Sequence, residues 1–463
     1  MSEQSEKLFD AVTGVGEDLI ETAQMPAAKK RRRWYRWAGP VAAVLAVAIL
    51  IGIFTGRGGV SAAYAIAEAD YPKEKTARFV TGDYAGELDG FLSASIPQFL
   101  SGADGGNRVY SPLNVYLALS MLAETSGGNT RRQILDLLGA EDIAAQRELA
   151  KRLWNTNYYN GDKGACVLAN SVWLNRDVDF VKSTMETLAT DYYASSFRGK
   201  MGSAGFDHAL QSWLNRQTGG LLEQQAGSVS LPEDTVMALA STVYFKGTWS
   251  WKFSKDATSP DVFHAPDGDL TCDFMHSTQN GWYCWGERFS AAAQGFTNGR
   301  SMWYILPDEG VSPDDLLRDA EVLSILTMDA QARELSENRK MVQIKFSVPK
   351  FDVVSDIDLL PGLAALGVTD ALDPAVSDFS PMVKQSASNP GMPVWVEKAS
   401  HAARVTVDEE GCVAVAYTVI GVSGGTAPPS ETVDFTLDRP FLFAITGPDG
   451  LPLFVGVVNR PAG

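Results

Sequence analysis

The chain has 463 residues, 45% of them hydrophobic and 21% charged, with a formal net charge of -17. This is the composition of a protein with a substantial buried core, and it excludes a disordered or fibrous chain. So acidic a balance repels polyanions, and no nucleic-acid partner is expected.

Residues 1–36 place Leu8, Phe9, Val12, Val15, Leu19 and Ile20 at roughly helical spacing and end in a basic cluster, Lys29, Lys30, Arg31, Arg32, Arg33 and Arg36. Seventeen uncharged residues follow, Ala38 to Phe54, and with Trp37 and Thr55 the apolar run reaches nineteen. At about 1.5 Å per residue this makes roughly 28 Å of helix, close to the hydrocarbon thickness of a bilayer. The basic cluster and Trp34, Tyr35 and Trp37 lie on its N-terminal side, where cytoplasmic charge and interfacial rings belong. Residues 1–36 therefore read as a cytoplasmic tail, 37–56 as a transmembrane anchor, 57–79 as a linker and 80–463 as an extracellular domain. The alternative is a cleaved signal peptide, for which Ala63-Tyr64-Ala65 offers a small-x-small site. Against it stand the 37 residues that precede the apolar segment and a cut eleven residues beyond Phe54.

Apolar residues at i, i+3/i+4 spacing then predict three helices: Leu88, Phe91, Leu92, Ile96 and Phe99; Val115, Leu119 and Leu122; and Ile134, Leu135 and Leu138. The third is expected to open at Asn129 or Thr130 as a cap and to close at Gly139. Two more helical patterns run from Thr184 to Tyr193 and from Phe206 to Thr218. The β-rich runs are Val167 to Leu174, Val236 to Phe245, Leu270 to Met275, Met302 to Leu306, Val342 to Val348 and Val394 to Val407. Finally, Phe441 to Thr446 and Leu453 to Val458 flank Gly447-Pro448-Asp449-Gly450, a hairpin signal. Helices gather early and strands late, the pattern of an α+β fold with large, mostly antiparallel sheets.

The residues that carry chemistry elsewhere do not assemble into an active site here. Gly421-Val422-Ser423-Gly424-Gly425 fits G-x-S-x-G, but Pro428 and Pro429 follow where a helix is required, and His401 is the last histidine. Cys166, Cys272, Cys284 and Cys412 contain no CxxC pair, and His208, His264, His276 and His401 show no HExxH spacing, so neither metal nor other cofactor is expected. Whether Cys272 and Cys284 pair is left open.

The anomalous segment runs from Cys412 to Val422, eleven uncharged residues. Small residues (Cys412, Ala414, Ala416, Thr418) alternate with larger ones (Val413, Val415, Tyr417, Val419), the period of a strand with one small face. Asp408-Glu409-Glu410-Gly411 forms a turn-like joint ahead of it, and a Gly/Pro/Ser/Thr loop, Ser423 to Ser430, follows. Taken alone, this pattern reads as an ordinary buried strand followed by a surface loop.

At this joint the chain resembles a serpin. His401-Ala-Ala-Arg-Val-Thr-Val-Asp-Glu-Glu-Gly411 resembles the family's strand leading into its reactive-loop hinge, and Ser241-Thr-Val-Tyr-Phe-Lys-Gly-Thr-Trp249 is similar to its N-x-x-Y-F-K-G-x-W strand. Ser111-Pro-Leu-Asn-Val resembles S-P-x-S-[IV], Gly128-Asn129-Thr130 the following G-N-T, and Asp438 to Phe443 with Pro452 to Asn459 the C-terminal signature. The resemblance implies a large central sheet with further sheets, about eight or nine helices and an exposed reactive loop, here preceded by one transmembrane helix. It implies no enzyme but a suicide inhibitor: a target serine protease forms an acyl-enzyme with the loop, and insertion of the cut loop into the sheet traps it. A bacterial-type, membrane-anchored monomer, joined to the membrane through its N-terminal helix, is the form expected.

The resemblance also assigns residues. The hinge is Glu409, Glu410, Gly411, Cys412, Val413, Ala414, Val415 and Ala416, with Cys412 and Val413 departing from the usual Thr and Glu. The family's spacing puts the cut about fourteen residues past the hinge glycine, at Gly425-Thr426. No Lys or Arg lies between Arg404 and Arg439, and Val422 to Ala427 are all small, which suits elastase-like or subtilisin-like targets and not trypsin. The family's buried polar cluster maps onto Ser111, Asn114, Ser241 and His401, with Ser and Asn exchanged between 114 and 241 and the donor and acceptor inventory kept. The competing reading is a non-inhibitory serpin acting as a surface binding or structural module, supported by Gly424-Gly425.

Overall fold

The computed structural model describes residues 63–67, 69, 71, 85–102, 105–161, 164–327, 338–384, 393–412 and 431–461. The tail and apolar span expected at 1–36 and 37–56 lie outside them, and no helix among the described residues is long and apolar enough to cross a membrane.

Ten α-helices lie among the described residues, more than the eight or nine expected: α1 (Ala85–Leu100), α2 (Pro112–Thr125), α3 (Gly128–Leu138), α4 (Ile143–Asn157), α5 (Lys182–Asp191), α6 (Ala204–Gln217), α7 (Glu223–Gly227), α8 (Pro313–Leu316), α9 (Ala320–Thr327) and α10 (Leu360–Ala365). The five predicted from spacing are α1, α2, α3, α5 and α6; Leu88, Phe91, Leu92, Ile96 and Phe99 form the buried stripe of α1. Helix α2 starts with Pro112 directly after Ser111, where a missing N–H costs nothing. The start of α3 corrects the expectation: its cap is Gly127, where a Cβ would fall 2.6 Å from Asp378 Oδ2. Thr130 instead accepts the Asp378 N–H, and Asn129 reaches Asp370. Gly139 closes α3 in the left-handed region, as expected. Helix α4 was not anticipated, although Asp142 caps it through the N–H groups of Ala144 and Ala145.

The strands are β1 (Ala63–Ala67), β2 (Arg108–Tyr110), β3 (Tyr159–Gly161), β4 (Gly164–Asn175), β5 (Ala194–Gly199), β6 (Met237–Thr248), β7 (Thr258–Ala265), β8 (Gly268–Trp285), β9 (Phe289–Gly295), β10 (Ser301–Pro307), β11 (Arg339–Pro349), β12 (Phe351–Asp358), β13 (Ser400–Val407), β14 (Gly411–Cys412), β15 (Thr432–Thr436), β16 (Phe441–Thr446) and β17 (Pro452–Val458). They build two mixed sheets. The first runs β1-β5-β4-β6-β14-β13-β12 with β3 on β4; the second runs β15-β11-β8-β9-β10-β16-β17-β2 with β7 on β8. Only β4 with β5 and β11 with β15 are parallel among the described pairs, so both sheets are mainly antiparallel. The core lies between the sheets, where Phe245 and Val405 of the first meet Ile445 and Phe454 of the second across one cleft.

Three strand expectations are corrected. Residues 394–399 are not strand, because their polar groups are satisfied elsewhere: Val396 N–H donates to Ala371 C=O (2.7 Å) and Ser377 Oγ to Val394 C=O (2.7 Å). The strand at Leu270 to Met275 extends to Trp285 as β8, putting Cys272 and Cys284 twelve residues apart on one strand. At about 3.4 Å per residue that is roughly 40 Å, far beyond disulfide reach. Third, the expected linker 57–79 contains β1, which pairs antiparallel with β5 at the sheet edge. Just after it, Ala69 N–H donates to Ser195 Oγ, and the Tyr71 ring stacks on Trp154 and Tyr158. The hairpin at 447–450 forms as expected, with Gly450 at φ 84° and its N–H on Gly447 C=O.

Candidate functional site

The joint predicted at Asp408 to Gly411 is a tight turn between β13 and β14. Asp408 N–H donates to Gly411 C=O (3.0 Å), and Asp408 Oδ1 accepts the N–H groups of Glu410 (2.9 Å) and Gly411 (3.1 Å). Gly411 has φ 154°, and a Cβ there would lie 2.1 Å from Gly247 C=O, so only glycine lets β14 reach β6. Gly411 pairs with Thr248 and Cys412 with Gly247 on one side, while Cys412 pairs with Val407 on the other. The two residues of β14 thus occupy the head of a gap between β6 and β13.

Beyond Cys412 no described strand stands between β6 and β13. A narrow cleft there is walled by Val243, Tyr244 and Phe245 of β6 and by Ala403, Arg404 and Val405 of β13, with Ile445 and Phe454 beneath. Cys412 is buried at its head, and burial pushes its thiol far above the usual range, followed by the charge of Asp408. It therefore acts as a small apolar side chain, not as a nucleophile.

The turn is clamped from outside. Burial alone would raise the Glu409 carboxyl, but Lys350 (2.8 Å), backbone N–H and Thr258 Oγ1 (3.0 Å) outweigh it and hold the group below its ordinary value. Lys252 pairs with Glu410 at 2.5 Å. The N–H groups of Trp249 and Phe253 donate to the carbonyls of Glu410 and Glu409, and Trp249 Nε1 to that of Asp408. Sequence reading did not find this clamp. Trp249 closed a recognised strand motif, but nothing local connects Lys350 with a carboxylate 59 positions later.

Ser241 lies six residues along β6 from Gly247, and His401 six along β13 from Val407, so both stand at one depth, roughly 20 Å beyond Cys412. The first turn of α2 runs beneath them. Ser241 Oγ donates to Asn114 Oδ1 (2.5 Å), and Asn114 Nδ2 to Ser241 C=O (3.3 Å). Ser111 N–H donates to His401 Nε2 (3.0 Å), and Ser111 Oγ to Leu453 C=O (2.6 Å). Burial pushes His401 down to about 4, so the ring is neutral near pH 7 and the accepting Nε2 assigns its proton to Nδ1. The expected single cluster is thus two bonded pairs, 114 with 241 and 111 with 401, side by side on one helical turn. Ser241 is half-buried, unlike the other three.

Val413, Ala414, Val415, Ala416, Gly425 and Thr426 lie outside the described residues. The chain rejoins them at Glu431, and β15 runs parallel to β11 from Thr432↔Gln343 to Thr436↔Ser347. Lys340 pairs with Glu431, and Lys345 with Asp434 at 3.2 Å.

Comparison with known proteins accounts for this architecture. A family model described as Serpin (serine protease inhibitor) matches residues 91–461. Serpin-Z1C of Triticum aestivum is 28% identical over 369 residues, covering 77% of this chain and 90% of its own. Plasminogen activator inhibitor 1 of Sus scrofa is 28% identical over 393 residues, covering 79% and 89%. Among solved structures, the thermophilic serpin tengpin in its native state superposes with a TM-score of 0.72 at 24% identity, over 86% of this chain and all of the other. With a turn that feeds a short strand between β6 and β13, and a family match over residues 91–461 that spans nearly the whole described body, the chain belongs to the serpin family.

Proposed function

We propose that this serpin is a suicide inhibitor of elastase-like or subtilisin-like serine proteases, held at the outer cell surface by the apolar segment 37–56. One observation carries the inhibitory part: β14 fills the first two positions between β6 and β13, and past it no described strand pairs with either facing edge. Counting on from its pairs, Ala414 falls opposite Phe245 and Val405, Ala416 opposite Val243 and Ala403, and Thr418 opposite Ser241 and His401. Both counts run from Cys412, one along each wall. Insertion in this register would turn the small residues towards the core and bring the first polar one level with the two polar pairs. It would turn Val413, Val415 and Tyr417 outward, which avoids the overpacking that large inward side chains bring.

In this reading the protease serine Oγ attacks the Gly425 carbonyl carbon, and the bond to the Thr426 nitrogen breaks. The leaving amine takes its proton from the protease histidine, and an ester joins the two proteins. Residues after Cys412 then insert between β6 and β13 and gain two ladders of hydrogen bonds. Inhibition requires that this step outruns hydrolysis of the ester by water.

The test is incubation with pancreatic elastase, subtilisin and trypsin, followed by denaturing gels and mass spectrometry of the released C-terminal peptide. The expected outcome is an SDS-resistant complex with the first two, none with trypsin, and a peptide starting at Thr426. Cleavage without any complex supports the non-inhibitory reading instead. For the anchor, membrane fractionation of cells making the full chain is expected to retain it until detergent is added; release into the medium as a chain starting near Ile66 contradicts it.

A further inference from the structure

Among the described residues two tryptophans are more than a third exposed, Trp251 (65%) and Trp282 (38%), and each stands beside one anchor of the bait loop. Trp251 sits in the segment whose flanking N–H groups, from Trp249 and Phe253, clamp Glu410 and Glu409 just ahead of Cys412. Trp282 stands at the other anchor. Gln343 N–H donates to Glu431 C=O (2.9 Å), and two residues earlier on β11 the exposed Met341 lies directly across from Trp282. The Arg339 guanidinium rests 3.3 Å from the centroid of the Trp282 ring, presenting cation and aromatic together.

Trp and Arg dominate binding energy at protein interfaces, and leaving a tryptophan in water forgoes a large hydrophobic gain. The position of both narrows the occupant. Eighteen residues, 413–430, join the anchors. At about 3.3 to 3.6 Å per residue their midpoint stays within roughly 30 Å of either end. A protease of about 250 residues is roughly 45 Å across. A body of that size gripping the middle of the loop is wide enough to reach either anchor.

We infer that Trp251 on one side and Trp282, Met341 and Arg339 on the other form a two-part docking rim for the protease that has seized the loop. This rests on the bait-loop reading above. The rim fits a protease whose cleft border carries apolar side chains on both flanks. It sets how fast the protease is captured and plays no part in insertion.

The experiment compares the full chain with Trp251→Ala, Trp282→Ala and Arg339→Glu, and with Val376→Ala, an exposed residue outside the segments named above, as control. Association rate constants and stoichiometries of inhibition are measured with pancreatic elastase and subtilisin. The expected result for at least one of these enzymes is an association rate lowered about tenfold by each tryptophan variant, with stoichiometry and melting temperature unchanged and the control within twofold. Rates within twofold of wild type for all variants overturn the proposal. Should Trp282→Ala fail to fold, Arg339→Glu decides for that side. Should wild type form no complex, the inhibitory reading fails separately, and the rim is judged by kcat/KM for loop cleavage: a tenfold loss supports it and unchanged values overturn it.

Discussion

The two anchors of the loop are built differently. The proximal one is interior: Glu409 is buried against Lys350, Gly411 has no room for a side chain, and Cys412 is 2% exposed. The distal one is an edge strand held by five parallel pairs and by surface ion pairs such as Lys345 with Asp434, whose side chains are 56% and 75% exposed. Buried hydrogen-bonded groups are costly to disrupt, whereas exposed ion pairs contribute about 0–1 kcal/mol and are screened by salt. The difference teaches that the chain is fixed firmly where it leaves Cys412 and held more weakly, by one edge ladder and exposed charge, where it returns at β15.

The largest expected effect comes from breaking the proximal anchor. Gly411→Val puts a side chain into the Gly247 carbonyl and should expel β14, exposing Cys412. Its reaction with a thiol reagent, slow in wild type, is expected to accelerate on the order of 100-fold; an unchanged rate would show that β14 does not need the close approach.

Acid acts beneath the gap. The folded-state value of His401, about 4, lies below its ordinary 6.5, so its contribution to stability is fully present above about pH 6.5 and is lost as the pH falls from there towards 4. The loss is on the order of 3 kcal/mol over that window. Denaturant titrations at several pH values should show a slope that His401→Gln removes; the same slope in the variant assigns it to other groups.

Asn114→Ser removes both bonds to Ser241 and leaves its hydroxyl unpaired, at an expected cost of about 1–3 kcal/mol. The double exchange with Ser241→Asn should recover most of it, and additive losses refute the idea that the swap preserves the pair. Smallest is Lys345→Ala at the distal anchor, less than about 1 kcal/mol and absent at high salt. A salt-independent loss would mean that β15 is held by packing, in which Phe435 meets Phe346 and Tyr283 edge to face.

Much of this was legible before the fold was seen, but unevenly. Helical spacing located α1, α2, α3, α5 and α6, because each buries a continuous stripe that the sequence must encode. β-rich runs marked the strands lining the gap, and the turn at Asp408 to Gly411 was readable from its residue types. Other features depend on partners distant in the chain. The cap of α3 is set by Asp378, the end of the non-strand stretch by Ala371, and the clamp on Glu409 by Lys350. Strand β1 hid within an apparent linker because a two-residue alternation of Ala with Tyr and Ile is weak until β5 offers an edge to pair with. The exchange of Asn and Ser at 114 and 241 was visible only as a departure from a resemblance; its geometry required both strands and the helix.

The central claim is that residues following Cys412 are more stable inside the sheet than outside it. Calorimetry of the intact protein and of the protein nicked once within 413–430 tests this directly. Insertion should raise the melting temperature by on the order of 10 °C or more, whereas coincident transitions would mean that the gap between β6 and β13 is never filled.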